Sequence, residues 1–110
     1  MGADDDSLTK AINLVIENQG GLAAVGDSAQ QVLPLPVAGL MSTLPADEVA
    51  SLYTLLDQQV KKMGSTLRAP FMTLSFMALL VIPDTKLSDQ GLFDGTKFEF
   101  TELIDTGSTG

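Results

Sequence analysis

The stretch AINLVIENQGGLAAV, residues 11–25, decides the fold, because a helical pattern gives way to a strand pattern across two glycines. Upstream of the glycines, apolar residues recur at helical spacing and predict a helix over residues 8–19. Negative charge favours a helix N-terminus, so Asp6 or Ser7 is expected to be the N-cap. Gly20 and Gly21 accept the left-handed conformation and are expected to end the helix.

A pair of strands is predicted after the glycines. The apolar run of residues 22–25 is followed by turn-forming residues 26–28, and a second apolar run begins at Val32. This pattern predicts a hairpin, or at least two consecutive strands. Pro34 and Pro36 cannot donate ladder hydrogen bonds, so the second strand should lie at a sheet edge or leave the sheet there.

A second helix has the clearest pattern in the chain. Pro45 suits the first helical position, and Asp47 and Glu48 follow in the first turn, where negative charge is favourable. Apolar residues then form a stripe at helical spacing, and Gly64 closes the helix. The stripe consists of Val49, Leu52, Tyr53, Leu56, Val60 and Met63.

The run of residues 71–82 is apolar except for Thr73 and Ser75. It is little more than half of the about 20 residues that a bilayer-spanning helix needs, which argues against a membrane segment. Periodicity does not separate a buried strand from a buried helix in such a run, and we expect an extended or mixed segment. A turn is predicted at residues 88–91, and alternation predicts a strand over residues 97–104.

These elements predict an α/β fold, with α+β as an alternative. Two amphipathic helices are expected to pack on a small mixed sheet, with the run of residues 71–82 buried between them. Residues 1–6 are expected to be a disordered or cloning-derived start, residues 7–105 a single domain, and residues 106–110 a flexible tail.

Composition excludes several classes of function. Six Lys and Arg stand against fourteen Asp and Glu, giving a net charge of −8, so neither nucleic acid nor an anionic membrane is an expected partner. The chain has no His and no Cys, which excludes Ser–His and Cys–His nucleophiles and leaves only carboxylates as metal ligands. No residue is predicted to be catalytic or to bind a metal ion, and no cofactor is expected in this chain.

Three segments carry a resemblance to a known family. PFMTLSFMALLVIPDTKLSDQGLFD, residues 70–94, closely resembles the C-terminal signature of the adenine deaminases of the amidohydrolase superfamily. Residues 11–25 are similar to the family's helix–Gly-Gly–strand, and LPLPVAGLMS, residues 33–42, to its Leu-Pro-Leu-Pro segment. The resemblance covers roughly residues 8–104. Leu80 departs from it, because the family usually has proline there.

The resemblance implies a cytoplasmic hydrolase of purine salvage, whose larger part is not in this chain. Adenine deaminases hydrolyse a cyclic amidine C–N bond, converting adenine to hypoxanthine and ammonia. In the family, histidines and carboxylates of a barrel domain hold a divalent ion, commonly manganese or iron, and the metal-bound water attacks the ring. A His- and Asp-containing segment that the family carries before the first helix is absent here. The chain is therefore expected to be a C-terminal domain that is inactive alone.

Two roles for such a domain remain open. It is expected to pack on the barrel domain of the same chain and to help assemble a homo-oligomer. Alternatively, its unusual segments reach the active site and help to bind adenine. The candidates for substrate-proximal or interdomain contact are Met41, Ser42, Phe71, Ser75 and Phe76. A free-standing small interaction or ligand-binding protein is the remaining alternative.

Overall fold

A computed structural model describes residues 1–104 of the chain, so the predicted tail at residues 106–110 lies outside the described residues. The chain divides into two compact units, of which the first is Met1–Pro70 and the second begins at Phe71. The prediction of a single domain over residues 7–105 stays a prediction.

The first unit opens with α1, Asp5–Glu17, which confirms the predicted helix but begins three residues earlier and ends two residues earlier than residues 8–19. Its N-cap is Asp4, because an Asp Oδ1 accepts a 2.7 Å hydrogen bond from the Ser7 N–H, so the expectation of Asp6 or Ser7 as the cap is wrong. An aspartate three residues before that amide has the reach of an N-cap side chain, whereas Asp6 already lies within the first turn. Residue 4 therefore contributes to α1 as its cap, and the prediction of a disordered or cloning-derived start over residues 1–6 stays a prediction.

Helix α1 ends close to the predicted glycines, but the left-handed conformation begins at the residue before them. Asn18 is the C-cap, and Gln19 already has a left-handed φ of 59°. The Gly20 N–H donates to the Val15 carbonyl at 2.9 Å, which closes the last turn. Glycine is required next, because a Cβ on Gly21 would lie 2.2 Å from the Leu33 carbonyl oxygen.

The predicted hairpin is confirmed. Strand β1, Gly21–Val25, pairs antiparallel with β2, Gln30–Pro34, in a register that sets Ala23 opposite Val32. The Gly26 N–H donates to the Ala29 carbonyl at 2.8 Å and closes the connecting turn. Strand β2 ends at Pro34, where the missing N–H stops the ladder as expected.

The core of the first unit lies on both faces of this hairpin. Ala23 and Val25 form a buried cluster with Ala11 of α1. Ala24 and Leu33 are also buried, and strand alternation directs them to the opposite face. Helix α2, Ala46–Lys62, contacts both strands and buries Leu56 and Val60. The hairpin is thus a thin central layer between two helices.

Helix α2 matches its predicted boundaries within one residue. Pro45 is the N-cap instead of the first helical residue, and Met63 is the C-cap. Lys61 Nζ lies 2.6 Å from Asp57 Oδ2, one helical turn apart. Gly64 follows with a φ of 114°, which ends the helix as predicted.

The run of residues 71–82 is the main correction in the second unit. Residues Pro70–Met77 form helix α3, and most of the run is exposed instead of buried between helices. Of residues 71–82, only Phe71 is fully buried. The physical reason is that the apolar side chains of α3 are spread around the helix instead of forming one stripe, so a single packed face cannot cover them all.

The described part of the second unit also contains a three-stranded antiparallel sheet. Strand β3, Thr85–Ser88, pairs with β4, Gly91–Asp94, around the predicted turn, and β4 pairs with β5, Glu99–Phe100. The strand predicted over residues 97–104 is therefore wrong for most of its length. Asp94 Oδ1 accepts hydrogen bonds from the Thr96 and Lys97 N–H groups at 2.9 and 3.0 Å. These bonds form a turn over residues 94–97, so the strand begins only at Glu99.

The fold class is confirmed as α/β, with three helices and two small sheets in the described part of the chain. The two sheets are separate and antiparallel, where a single mixed sheet was expected. Among residues 1–104, no helix combines the length and apolarity needed to cross a membrane.

Candidate functional site

Met41 and Ser42 belong to an irregular connection of the first unit between β2 and α2. A short antiparallel bridge joins Val37 to Met41, and the tight bend between them uses the left-handed residues Ala38 and Gly39. The connection and the start of α2 enclose an open groove of about 650 Å³. Its lining is mainly apolar and includes Leu35, Leu40, Met41, Leu44, Val49 and Tyr53.

The Ser42 hydroxyl already has a structural role. Its Oγ accepts a 3.0 Å hydrogen bond from the Leu44 N–H, two residues ahead. This local turn is typical of serine just before a helix, where it orders the chain that enters the first turn. This bond holds the loop in shape, and the residues that line the groove beside it include no acidic or basic side chain that could activate the hydroxyl.

Phe71, Ser75 and Phe76 lie on α3. Phe71 is 5% exposed, whereas Phe76 is 53% exposed. The Ser75 Oγ donates to the Met72 carbonyl at 2.7 Å, so this hydroxyl also bonds within its own element. The five candidates thus form two groups, one in each unit. Neither group contains a titratable side chain, so neither supports acid–base chemistry.

A further apolar surface was missed by sequence reasoning. Leu8, Ile12 and Ile16 recur every four residues along α1 and remain 43%, 58% and 66% exposed. We call these three residues the outer stripe. The inner face of α1, with Ala11, packs on the hairpin. The signal was present in the sequence, because the apolar arc of α1 spans roughly 200°, about twice the width of a single buried face.

Among residues 1–104, the pKa values of two carboxylates are shifted. Hydrogen bonds from the Ser7 backbone and hydroxyl lower the pKa of Asp4. Hydrogen bonds from the Lys97 and Thr96 backbone lower the pKa of Asp94. Both carboxylates cap local turns, which accounts for the direction of the change. Within residues 1–104, no three acidic side chains come together in a group that could hold a metal ion.

Comparison with known proteins decides the family. Residues 1–99 match the family described as the adenine deaminase C-terminal domain. The chain belongs to that family. It is 55% identical over 105 residues to an adenine deaminase of Methanosarcina mazei, which covers 94% of this chain and 19% of that protein. No solved structure matches the chain.

Adenine deaminases of two further organisms also match. The chain is 55% identical over 103 residues to the adenine deaminase of Salinibacter ruber and 48% identical over 103 residues to that of Borreliella afzelii. Each alignment covers 93% of this chain and 19% of the relative. The chain therefore spans about a fifth of the length of these adenine deaminases, and the resemblance read from its three segments is confirmed.

Proposed function

We propose that this chain is the C-terminal domain of a longer adenine deaminase. The longer enzyme would hydrolyse adenine to hypoxanthine and ammonia, in purine salvage in the cytoplasm. One observation carries the proposal: nearly the whole chain matches the C-terminal domain family, and its relatives named adenine deaminase are about five times as long.

The chemistry is assigned to the rest of that enzyme. A divalent ion, manganese or iron, held in a barrel domain would supply the hydroxide that attacks adenine. This chain does not fit a role as the metal-binding part, because it has no His or Cys and its described carboxylates do not cluster. The domain alone is therefore proposed to be inactive.

The role proposed for the domain is packing against the barrel domain of the same polypeptide. Support comes from the outer stripe of α1, which leaves three large aliphatic side chains at the surface. A contiguous exposed apolar surface on a small acidic protein favours contact with another folded partner. The partner proposed here is the remaining four-fifths of the enzyme, since relatives of this chain carry that length in the same polypeptide.

Met41, Ser42, Phe71, Ser75 and Phe76 are proposed to belong to interdomain surfaces instead of the adenine site. Both serine hydroxyls are already engaged in local hydrogen bonds. We expect Ser42→Ala and Ser75→Ala in the longer enzyme to leave KM and kcat for adenine within about twofold of wild type. A rise in KM of about tenfold or more for either variant would instead assign that serine to the substrate site.

A chimeric enzyme tests the proposed function. The matching 105 residues of the Methanosarcina mazei adenine deaminase would be replaced by residues 1–104 of this chain. We expect the chimera to release ammonia from adenine at a rate within about tenfold of the parent, because a domain that packs similarly preserves the remote active site. The isolated chain, assayed with added Mn²⁺ or Fe²⁺, is expected to show no activity above a blank.

Two results would contradict this account. The first is metal-dependent deamination of adenine by the isolated chain. The second is a chimera that folds, as shown by its elution and melting curve, yet has lost deaminase activity. A version of the parent cut before the same 105 residues serves as the matched control for loss of the domain.

A further inference from the structure

The edge of β1 that faces away from β2 makes two hydrogen bonds outside the hairpin. Strand β2 occupies one edge of β1. At the other edge, the Val25 N–H donates to the Met1 carbonyl at 2.9 Å, and the Met1 amino group donates to the Ala23 carbonyl. Both bonds are made by one residue, which bridges two positions of β1.

This pair of bonds is the pattern of a parallel β-ladder. In such a ladder, a residue donates to the carbonyl before its partner and accepts from the N–H after it. Met1 donates to residue 23 and accepts from residue 25, so its partner is Ala24. The chain direction at Met1 is therefore parallel to β1.

We propose that the residues immediately preceding Met1 in the longer polypeptide form a strand parallel to β1 and complete a three-stranded sheet. The inference rests on the proposed function, because it requires upstream residues. The relatives supply that length, since this chain matches only 19% of the Methanosarcina mazei enzyme. The occupant of the β1 edge is thus a segment of the same polypeptide.

Helix α1 has the length and position of the required crossover. Parallel neighbours need a connection of about a dozen or more residues, usually a helix. Between Met1 and β1 lies α1, Asp5–Glu17, which packs Ala11 on Ala23 and Val25. The upstream strand, α1 and β1 would therefore form a βαβ unit, with β2 added at the far edge.

The residues at the start of α1 fit a tight strand-to-helix turn. A Cβ on Gly2 would lie 2.5 Å from the Leu8 nitrogen and 2.9 Å from the Ser7 Cβ. Only glycine fits where the chain passes this close to the first turn of the helix. The chain at Met1 is thereby directed along β1, where both of its hydrogen bonds are made.

The burial of β1 also suits a central strand. Ala23, Ala24 and Val25 are 3%, 0% and 4% exposed, so consecutive residues on both faces are covered. Such burial is typical of strands inside a sheet with helices on both faces. An isolated two-stranded hairpin is only marginally stable, and a third strand would stabilise it.

Burial lowers the pKa of the Met1 amino group, whereas a peptide N–H at that position would carry no charge to desolvate.

The proposed strand defines the next rung of the ladder. The N–H and C=O of a strand residue point to the same edge, so the Ala23 N–H faces the upstream segment together with its carbonyl. The residue two positions before Met1 would accept from the Ala23 N–H and donate to the Gly21 carbonyl. The residue immediately before Met1 would point its N–H away from β1.

Hydrogen exchange in the intact native polypeptide tests the inference. Residue-resolved mass spectrometry would compare the Ala23 amide with the Ala24 amide, which faces β2. We expect the two amides to exchange within about tenfold of each other, because both would be bonded in a ladder. Exchange at Ala23 more than about a hundredfold faster than at Ala24 would overturn the inference.

Two proline variants of the intact polypeptide provide an independent measurement. Proline two positions before Met1 would remove the donor to the Gly21 carbonyl and is expected to speed exchange at Ala23 by about tenfold or more. Proline immediately before Met1 is the matched control and should have the smaller effect. Equal effects of the two variants would contradict the register.

The outcomes also separate this inference from the proposed function. An intact polypeptide that deaminates adenine but exchanges rapidly at Ala23 would overturn the strand alone. A native product no longer than this chain would overturn the proposed function and the strand with it.

Discussion

Gln59 connects α2 to the turn of the hairpin through a single side chain. Its Nε2 donates to the Ala29 carbonyl at 2.9 Å and lies 3.4 Å from the Ala24 carbonyl oxygen. Gln59→Glu would replace this donor with a carboxylate facing carbonyl oxygens. We expect a loss of roughly 2–3 kcal/mol in the free energy of unfolding, measured by urea denaturation.

The neighbouring Gln58 supplies the matched control for that variant. Gln58 is exposed, so Gln58→Glu makes the same charge change without removing the donor that binds the hairpin. Its free energy of unfolding should stay within about 0.5 kcal/mol of wild type. Equal losses from both variants would show that charge, and not the hydrogen bond, governs the result.

Asp4 makes the start of α1 sensitive to acid. Its pKa is lowered in the folded chain by hydrogen bonds from Ser7, so its contribution to stability is complete above the ordinary value of 3.8 and is lost as the pH falls through the lowered value. Asp4→Asn keeps an N-cap acceptor but removes the titration. We expect this variant to lose less stability than wild type on acidification below pH 3.8, measured by urea unfolding across that range.

Asp4→Ala serves as the comparison, because it removes the cap at every pH. Asp94 has a pKa shifted in the same direction, so part of the acid sensitivity should remain in both variants. An unchanged dependence on pH in Asp4→Asn would mean that Asp4 contributes nothing to it.

The junction between α1 and β1 depends on the absence of a side chain at Gly21. The residue has a φ of 142°, and a Cβ would lie 2.2 Å from the Leu33 carbonyl oxygen. Gly64 also has a positive φ, but a Cβ there would meet nothing within 4 Å. We expect Gly21→Ala to cost at least about 3 kcal/mol and Gly64→Ala about 1 kcal/mol.

Thermal unfolding of the two variants measures this difference directly. Both substitutions strain the backbone, so the excess loss in Gly21→Ala reports the clash with β2. Similar melting temperatures for the two variants would show that the strands move apart to accept a methyl group.

Sequence patterns predicted the elements whose signals are local. The helix α1, the hairpin and α2 were predicted because their apolar periodicity, caps and glycines lie within a few residues. The strand after Phe98 was mispredicted, because the Asp94 side chain binds the Thr96 and Lys97 amides and forms a turn that alternation does not reveal. Boundaries set by such side-chain bonds are weakly encoded in apolar patterns.

The run of residues 71–82 shows a different limit. Its apolarity was taken as a sign of burial within this chain, yet Met72, Phe76 and Met77 are exposed. Hydrophobicity reports that a surface favours an apolar partner, but not whether the partner lies in the same segment of chain. The candidate residues were found through the family resemblance, whereas the outer stripe of α1 was missed because its apolar arc was read as one buried face.

If the domain docks through the outer stripe, substitutions there should lower the stability of the chimeric enzyme more than that of the isolated chain. Ile12→Gln combined with Ile16→Gln should change the stability of the isolated chain by less than about 0.5 kcal/mol, because both side chains are more than half exposed. In the chimeric enzyme we expect a loss of about 2 kcal/mol or more, since both would be buried against the barrel domain. Melting curves of both proteins measure the two effects.

The polar side of α1 provides the control for that comparison. Asn13 and Glu17 are exposed, so Asn13→Gln with Glu17→Gln should be neutral in both backgrounds. Equal losses from the stripe variant in the isolated chain and in the chimera would exclude docking through the stripe.

A longer enzyme with several such surfaces is also proposed to form a homo-oligomer, which light scattering of the purified enzyme would detect.

The most direct measurement of the central claim is made on the native product. An antibody raised against this chain would purify the protein from its source cells, and its mass and its release of ammonia from adenine would be measured together. The account predicts a polypeptide several times larger than 11.6 kDa that deaminates adenine. A native product of about 11.6 kDa, or a longer one that leaves adenine unchanged, would contradict it.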